Sequence, residues 1–259
     1  LIGLGDAPPT RTALRNAGGR LVVALHAMGA SAARIDVAPH LTGPLKNKPA
    51  VAQAIAEGMV LANWRQESWR GTASKGDPAT GTLILTSPHG GSRGGLRRGC
   101  ILADAANEAR RLGSTPPNIA HPGWIARQAR AMARRLGMQC TVISAAKAKE
   151  SGMGGLTAVG QGSEHPPCLV HLTWKPKRSS GGPKLAFVGK TITYDTGGYS
   201  LKISNGMKGM KYDLCGGAAV LGAMQALDAL KVPVRVTGVL ACAENMVSGG
   251  AYRPDDIIT

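Results

Sequence analysis

Two apolar runs, Lys184–Gly189 and Val234–Cys242, flank an Ala-rich helical stretch, Gly216–Leu230. A strand, a helix and a second strand in that order constrain this chain more than any other feature. They predict parallel pairing through a right-handed crossover, and so α/β architecture. Further strands are expected at Gln139–Ser144 and Cys168–Trp174. Helices are expected at Cys100–Leu112, where Gly113-Ser-Thr-Pro-Pro stops the pattern, and from Pro122 to about Leu136. The expected fold is a mixed, largely parallel sheet flanked by helices, preceded by part of a smaller α/β domain.

In the earlier part, Leu21–Leu25 and Thr82–Thr86 read as strands and Ala50–Trp64 as a helix. The run Gly90–Gly99 (GGSRGGLRRG) reads as a linker or a turn between domains. The boundaries that follow are 1–95 for the smaller domain and 96–259 for the larger. At 259 residues there is room for both, since single cores stop growing at about 250–300 residues. With one Phe, four Tyr and four Trp, small aliphatic side chains must fill the interior.

The formal charge of +16 raises the question of a nucleic-acid partner. Basic residues gather in a helical stretch (Arg127, Arg130, Arg134, Arg135) and in loops, with no aromatic platform between them, so a solvated basic face is the plainer reading. Five scattered cysteines without a C-x-x-C pair argue against a zinc ribbon or a disulfide framework and fit reduced thiols in a cytoplasmic protein. No leader pattern is visible, and no stretch approaches the roughly 20 apolar residues of a membrane span. The chain starts at Leu1 and stops in the apolar run Ile257-Ile258-Thr259, so both ends read as cut.

The densest chemical signal is the run from Val188 to Lys202, VGKTITYDTGGYSLK, followed by Met207–Ala219. Ligands in open α/β sheets gather beyond the carboxyl ends of strands. Lys190 is expected just past its strand, Asp195 in the loop that follows, and Asp213 just before the next helix. Two carboxylates converging there suit a divalent cation. A lysine joins as a ligand only if the ion displaces its proton. Lys202 reads as a charged lysine placed to polarise a carbonyl oxygen. The alternative is a pair of loop or cap aspartates with surface lysines. Gly189-Lys190-Thr191 imitates the end of a phosphate loop, but that motif needs a glycine where Lys184 stands.

The runs GKTITYDTGGYSLK and MKGMKYDLCGGAAVLGAM resemble the catalytic core of the leucyl aminopeptidases, the M17 metallopeptidases. Other stretches fit in order: Ala109–Asn118, Gly152–Gly162, Cys242-Ala-Glu-Asn-Met-Val-Ser-Gly249 and Arg253-Pro-Asp-Asp256. Before residue 100 the likeness is weaker, resting on Leu1-Ile-Gly-Leu-Gly, Glu57-Gly-Met and Asn63-Trp-Arg. The resemblance implies that Lys190, Asp195 and Asp213 are metal ligands, with Asp195 bridging two ions. It makes Lys202 the catalytic lysine that also binds the scissile carbonyl, and it places Met210 in the pocket for the N-terminal side chain. It implies release of N-terminal residues, often leucine, from peptides by a water activated on two divalent ions, zinc or manganese and possibly magnesium. It also implies a homohexamer.

The family's N-T-D-A-E-G-R segment is expected shortly after the point where this sequence ends. It would supply an Asp, a Glu and the arginine that positions a bicarbonate base. Two carboxylates alone leave two dications undercompensated, so these 259 residues by themselves are expected to be inactive as a peptidase. Arg111 replaces the family's usual Asp, and a changed salt-bridge partner is expected there. The rival readings are a basic DNA-binding member of the same fold and a noncatalytic structural member. None of His26, His40, His89, His121, His165 and His171 forms a ligand pair in the sequence, and no nucleophile elbow occurs.

Overall fold

The computed structural model describes residues 10–30, 32–36, 47–66, 68–69, 82–86, 91–178 and 181–258. Residues 1–5, His40 and His89, named above, lie outside them. The chain divides into two compact units, Leu1–Asn107 and Glu108–Thr259.

The first unit holds α1 (Arg11–Ala27), β1 (Ala32–Asp36), α2 (Lys48–Asn63), β2 (Thr82–Thr86) and the start of α3 (Ser92–Ser114). β1 and β2 pair in parallel, with Ala32 opposite Thr82. Leu21–Leu25, expected as a strand, is the second half of α1. Leu14, Gly18, Val22 and Leu25 are buried at helical spacing, a stripe that packs on α2 and overrides the strand preference of the valines. Thr10 Oγ1 accepts from the Ala13 amide at 3.1 Å and caps α1, and Asn47 Oδ1 does the same for α2.

The supposed linker is also helical. α3 runs unbroken from Ser92, through the glycines, to Ser114. A Cβ on Gly95 would stand 2.0 Å from the Pro49 carbonyl oxygen, and one on Gly99 would stand 2.4 Å from that of Gln53. The glycines therefore permit contact between α3 and the backbone of α2. That close packing outweighs the roughly 0.5–1 kcal/mol each glycine costs a helix.

The second unit adds α4 (Pro122–Leu136), β3 (Gln139–Ile143), α5 (Ala145–Glu150), α6 (Gly154–Gly160), β4 (Cys168–Trp174), β5 (Leu185–Asp195), α7 (Cys215–Ala229) and β6 (Val236–Asn245). A 3-10 turn, Met210–Leu214, leads into α7. The sheet order is β3-β4-β6-β5. β5 and β6 are parallel neighbours joined through α7, the crossover expected from sequence.

The sheet is mixed and flanked by helices, as expected, but with less parallel pairing. β3 runs antiparallel to β4, and β4 antiparallel to β6. No crossover helix lies in the described part of the β4–β5 connection, so the chain reverses direction there. The core lies where α4 and α7 cover the sheet, with Ile125, Met132, Leu221 and Met224 against Val170, Leu172 and Leu240. Arg127, Arg130, Arg134 and Arg135 stay on the exposed face of α4. Among the described residues, no helix is long and apolar enough to cross a membrane.

Candidate metal centre

β5 is longer than the apolar run that announces it. Thr191 and Thr193 are fully buried and continue the strand to Asp195. Their hydroxyls are satisfied at the carbonyls of Gly189 and Ala243. Lys190 therefore sits within the strand rather than past its end, and Asp195 is the last strand residue rather than a loop residue. Asp213 lies in the 3-10 turn just ahead of α7, where the sequence puts it.

The Lys190 ammonium stands 2.9 Å from Asp213 Oδ2, and the Lys202 ammonium 3.3 Å from Asp195 Oδ2. Lys190 and Asp195 both line a cleft of about 510 Å³, walled by Leu156, Val159, Val188 and Ile192. Lys202 arrives from the loop after β5. Its amide donates to the Thr196 carbonyl at 2.9 Å, and Gly197 turns the chain at φ 89°. Met210 is half-buried at the head of the 3-10 turn and is not among the residues that line this cleft.

Asn245 does not stand out in the sequence, yet it holds the centre together. It is the register partner of Asp195 across the β5–β6 ladder. Its Nδ2 donates to Asp195 Oδ1 at 2.7 Å, and the Gly197 amide donates to the same oxygen at 2.9 Å. The other oxygen, Oδ2, is left facing Lys202. Burial pushes the Asp195 carboxyl up, but the Gly197 amide, Asn245 and Lys202 together outweigh it and hold the acid below its ordinary value. The signal available in the sequence is the family-like stretch Cys242-Ala-Glu-Asn-Met-Val-Ser-Gly249, in which Asn245 lies three residues past the apolar run and ends β6.

Asp213 Oδ2 is buried and accepts no hydrogen bond, because the Lys190 ammonium is close but out of line for one. A buried carboxylate oxygen without a donor is costly unless something else offsets its charge. The donor set of two carboxylates and a lysine fits a divalent cation. Among the described residues, no cluster of three or more His, Cys, Asp and Glu side chains supplies a larger set. Of the described histidines, His121 and His165 stack on each other, and His26 contacts Asn63. Arg111 takes Glu108 at 2.7 Å as its ion-pair partner.

The profile described as the catalytic domain of the cytosol aminopeptidase family matches residues 107–259. The chain belongs to the cytosol aminopeptidase family. Its relatives include a probable cytosol aminopeptidase of Acidobacterium capsulatum, 36% identical over 99% of this chain and 51% of that protein. Another, from Aquifex aeolicus, is 40% identical over 80% of this chain and 41% of its own length. The solved structure of the bottromycin maturation enzyme BotP in complex with Mn superposes with a TM-score of 0.83 at 36% identity, covering 97% of this chain and 52% of that one. The chain thus spans about half the length of the family members it matches.

Proposed function

We propose that this chain carries the first metal site and the catalytic lysine of a cytoplasmic aminopeptidase that releases N-terminal residues, leucine by preference, from peptides. The observation that carries the reading is the buried Asp213 Oδ2, without a donor and 2.9 Å from Lys190, a lysine that lines one cleft with an Asp195 carboxylate fixed by Asn245 and Gly197. Lys190, Asp195 and Asp213 would hold a divalent ion: zinc, manganese or magnesium. The complex of BotP with Mn supports that class of ion.

Such ions, when bound, polarise the scissile carbonyl and acidify the attacking water. The chain's own residues do the rest. Lys190 gives up the proton on Nζ to become a donor. Asn245 and Gly197 keep Asp195 Oδ1 occupied, so that Oδ2 points into the centre. Lys202 keeps its proton and donates to the carbonyl oxygen of the substrate, and Met210 would touch the N-terminal side chain. Two carboxylates balance one dication. A second ion, and a bicarbonate base, need donors beyond these, and the homohexamer implied by the resemblance belongs to the same proposal.

Calorimetric titration with Mn²⁺ or Zn²⁺ tests the reading. One ion per chain is expected, and binding should vanish in Asp213→Asn. Failure of both metals to bind overturns the centre. Hydrolysis of a leucine chromogenic amide by these 259 residues should stay far below that of a full-length relative, and matching turnover overturns the donor count.

A further inference from the structure

Cys168 on β4 and Cys242 on β6 are register partners in the antiparallel β4–β6 ladder. Residues so opposed have Cα atoms about 4.5–5.5 Å apart, within the roughly 4.4–6.8 Å that a disulfide spans. Their Cβ atoms lie about 4.5–5.5 Å apart, against about 3.5–4.5 Å in a disulfide, so a movement of about 1 Å or less separates the two states. As register partners the two side chains leave the ladder on the same face, while Cys168 Sγ donates to the Pro122 carbonyl at 3.7 Å and Cys242 Sγ to that of Leu240 at 3.8 Å. Both residues are buried, and both are reduced in this structure. Cys100, Cys140 and Cys215 sit elsewhere, on α3, β3 and the head of α7.

We propose that Cys168 and Cys242 are a redox-active pair that closes into a cross-strand disulfide behind the metal centre. The pair plays no part in the proposed hydrolysis and stands independently of it. The neighbouring Cys242 side chain holds the Cys168 thiol below its usual value against the opposing effect of burial, which suits Cys168 to be the attacking sulfur. The oxidant is a small hydroperoxide, such as hydrogen peroxide, that can reach a buried pair.

The Cys168 thiolate attacks one peroxide oxygen. An S–O bond forms, the O–O bond breaks, and hydroxide leaves and takes a proton to become water. The Cys242 thiol then attacks the sulfenic sulfur. The S–S bond forms, the S–O bond breaks, and the oxygen leaves as a second water. Two thiols lose two electrons, and one peroxide becomes two waters. A reducing thiol returns the pair by exchange. In a reducing compartment such a bridge is transient, the behaviour of a sensor rather than a staple.

The test treats the folded protein with hydrogen peroxide, blocks the remaining thiols, and maps the peptides by mass spectrometry. The expected result is a Cys168–Cys242 cross-linked peptide, lighter than its two reduced parts by two hydrogens and lost after dithiothreitol. A variant with Cys100, Cys140 and Cys215 changed to Ser should lose both remaining thiols together in a thiol count, and regain both on reduction. In Cys242→Ser, the Cys168 thiol should advance to sulfinic acid instead. The proposal is overturned if the two sulfurs stay reduced in the folded protein while oxidising in urea, or if each oxidises to sulfinic acid without bridging.

Discussion

Replacing Arg253 by Met is expected to unfold the second unit at a markedly lower temperature. Glu244 is 0% exposed and Arg253 8%, and Arg253 Nη1 donates to Glu244 Oε1. Ser163 Oγ donates to the other oxygen of Glu244. Arg253 Nε reaches Asp256 at 3.2 Å, and Asp256 Oδ1 accepts from the Asn118 amide at 2.9 Å. Met fills a similar length, so the substitution chiefly removes charge and leaves Glu244 buried without its cation. Breaking a buried pair from one side costs about 3–5 kcal/mol. At about 2–4 °C per kcal/mol for a unit near this size, Tm falls by about 6–20 °C. Adding Glu244→Gln removes the stranded charge and should recover a large part of the loss, with a coupling of at least about 1 kcal/mol. Thermal melts followed by the fluorescence of Trp124 and Trp174 read both variants. A single variant that melts within about 2 °C of the parent, or a double variant no better than the sum of the singles, refutes the reasoning.

Four further outcomes follow from named contacts. Asn245→Leu removes the 2.7 Å donor from Asp195 Oδ1 and should weaken Mn²⁺ binding by about 10–100-fold, the usual effect of losing a group that orients a ligand; unchanged affinity in calorimetry contradicts it. Asp213→Asn, in contrast, removes a carboxylate oxygen that has no donor, so the metal-free protein should melt no lower than the parent. His121 is held down to about 4 by burial first and then by His165, Arg127 and Arg253. It is neutral in the fold, so its contribution is full above pH 6.5 and is lost as pH falls from 6.5 towards 4. With solvent screening of a partly exposed ring this amounts to about 1–2 kcal/mol, and His121→Asn should flatten the fall in Tm across that window. Leu240→Ala, in the middle of the sheet core, should cost about 2–5 kcal/mol in urea unfolding, and a loss under about 1 kcal/mol would show that the site collapses without a cavity.

Much of the fold was legible because local pattern and tertiary packing agree. Pro122 and Gly137 bracket α4 as helix-start and helix-stop residues, and the apolar run Cys168–Trp174 coincides with β4. Where they disagree, the neighbours decide. The LVVAL run became helix because α2 offers a surface to one stripe of it. The Gly/Arg run from Ser92 onward is helix, with Gly95 and Gly99 pressed on the backbone of α2, which composition alone cannot reveal. Glu244 and Arg253 each stand within a family-like motif, yet nothing in the spacing shows that the two motifs meet. Asn245 is hidden for the same reason, since its role depends on a strand partner fifty positions away.

The placement of Lys190 follows from register rather than from the end of a strand. A Cβ on Gly189 would stand 2.6 Å from the Gly216 carbonyl oxygen, and one on Gly217 would stand 2.1 Å from Thr191 Oγ1. Gly189 and Thr191 are therefore pressed against the start of α7. Strand alternation then sends Val188, Lys190 and Ile192 to the opposite face, into the cleft. A slip of one residue would bury the lysine and expose the threonines. The same close approach carries the 3-10 turn up to β5, which is what brings Asp213 to Lys190. The backbone contact of β5 with α7 thus does two things at once: it aims the lysine and delivers its carboxylate. Any side chain at Gly216 or Gly217 should disturb the metal site before it disturbs the sheet, with Mn²⁺ affinity falling in Gly217→Ala by more than its Tm shift alone would account for.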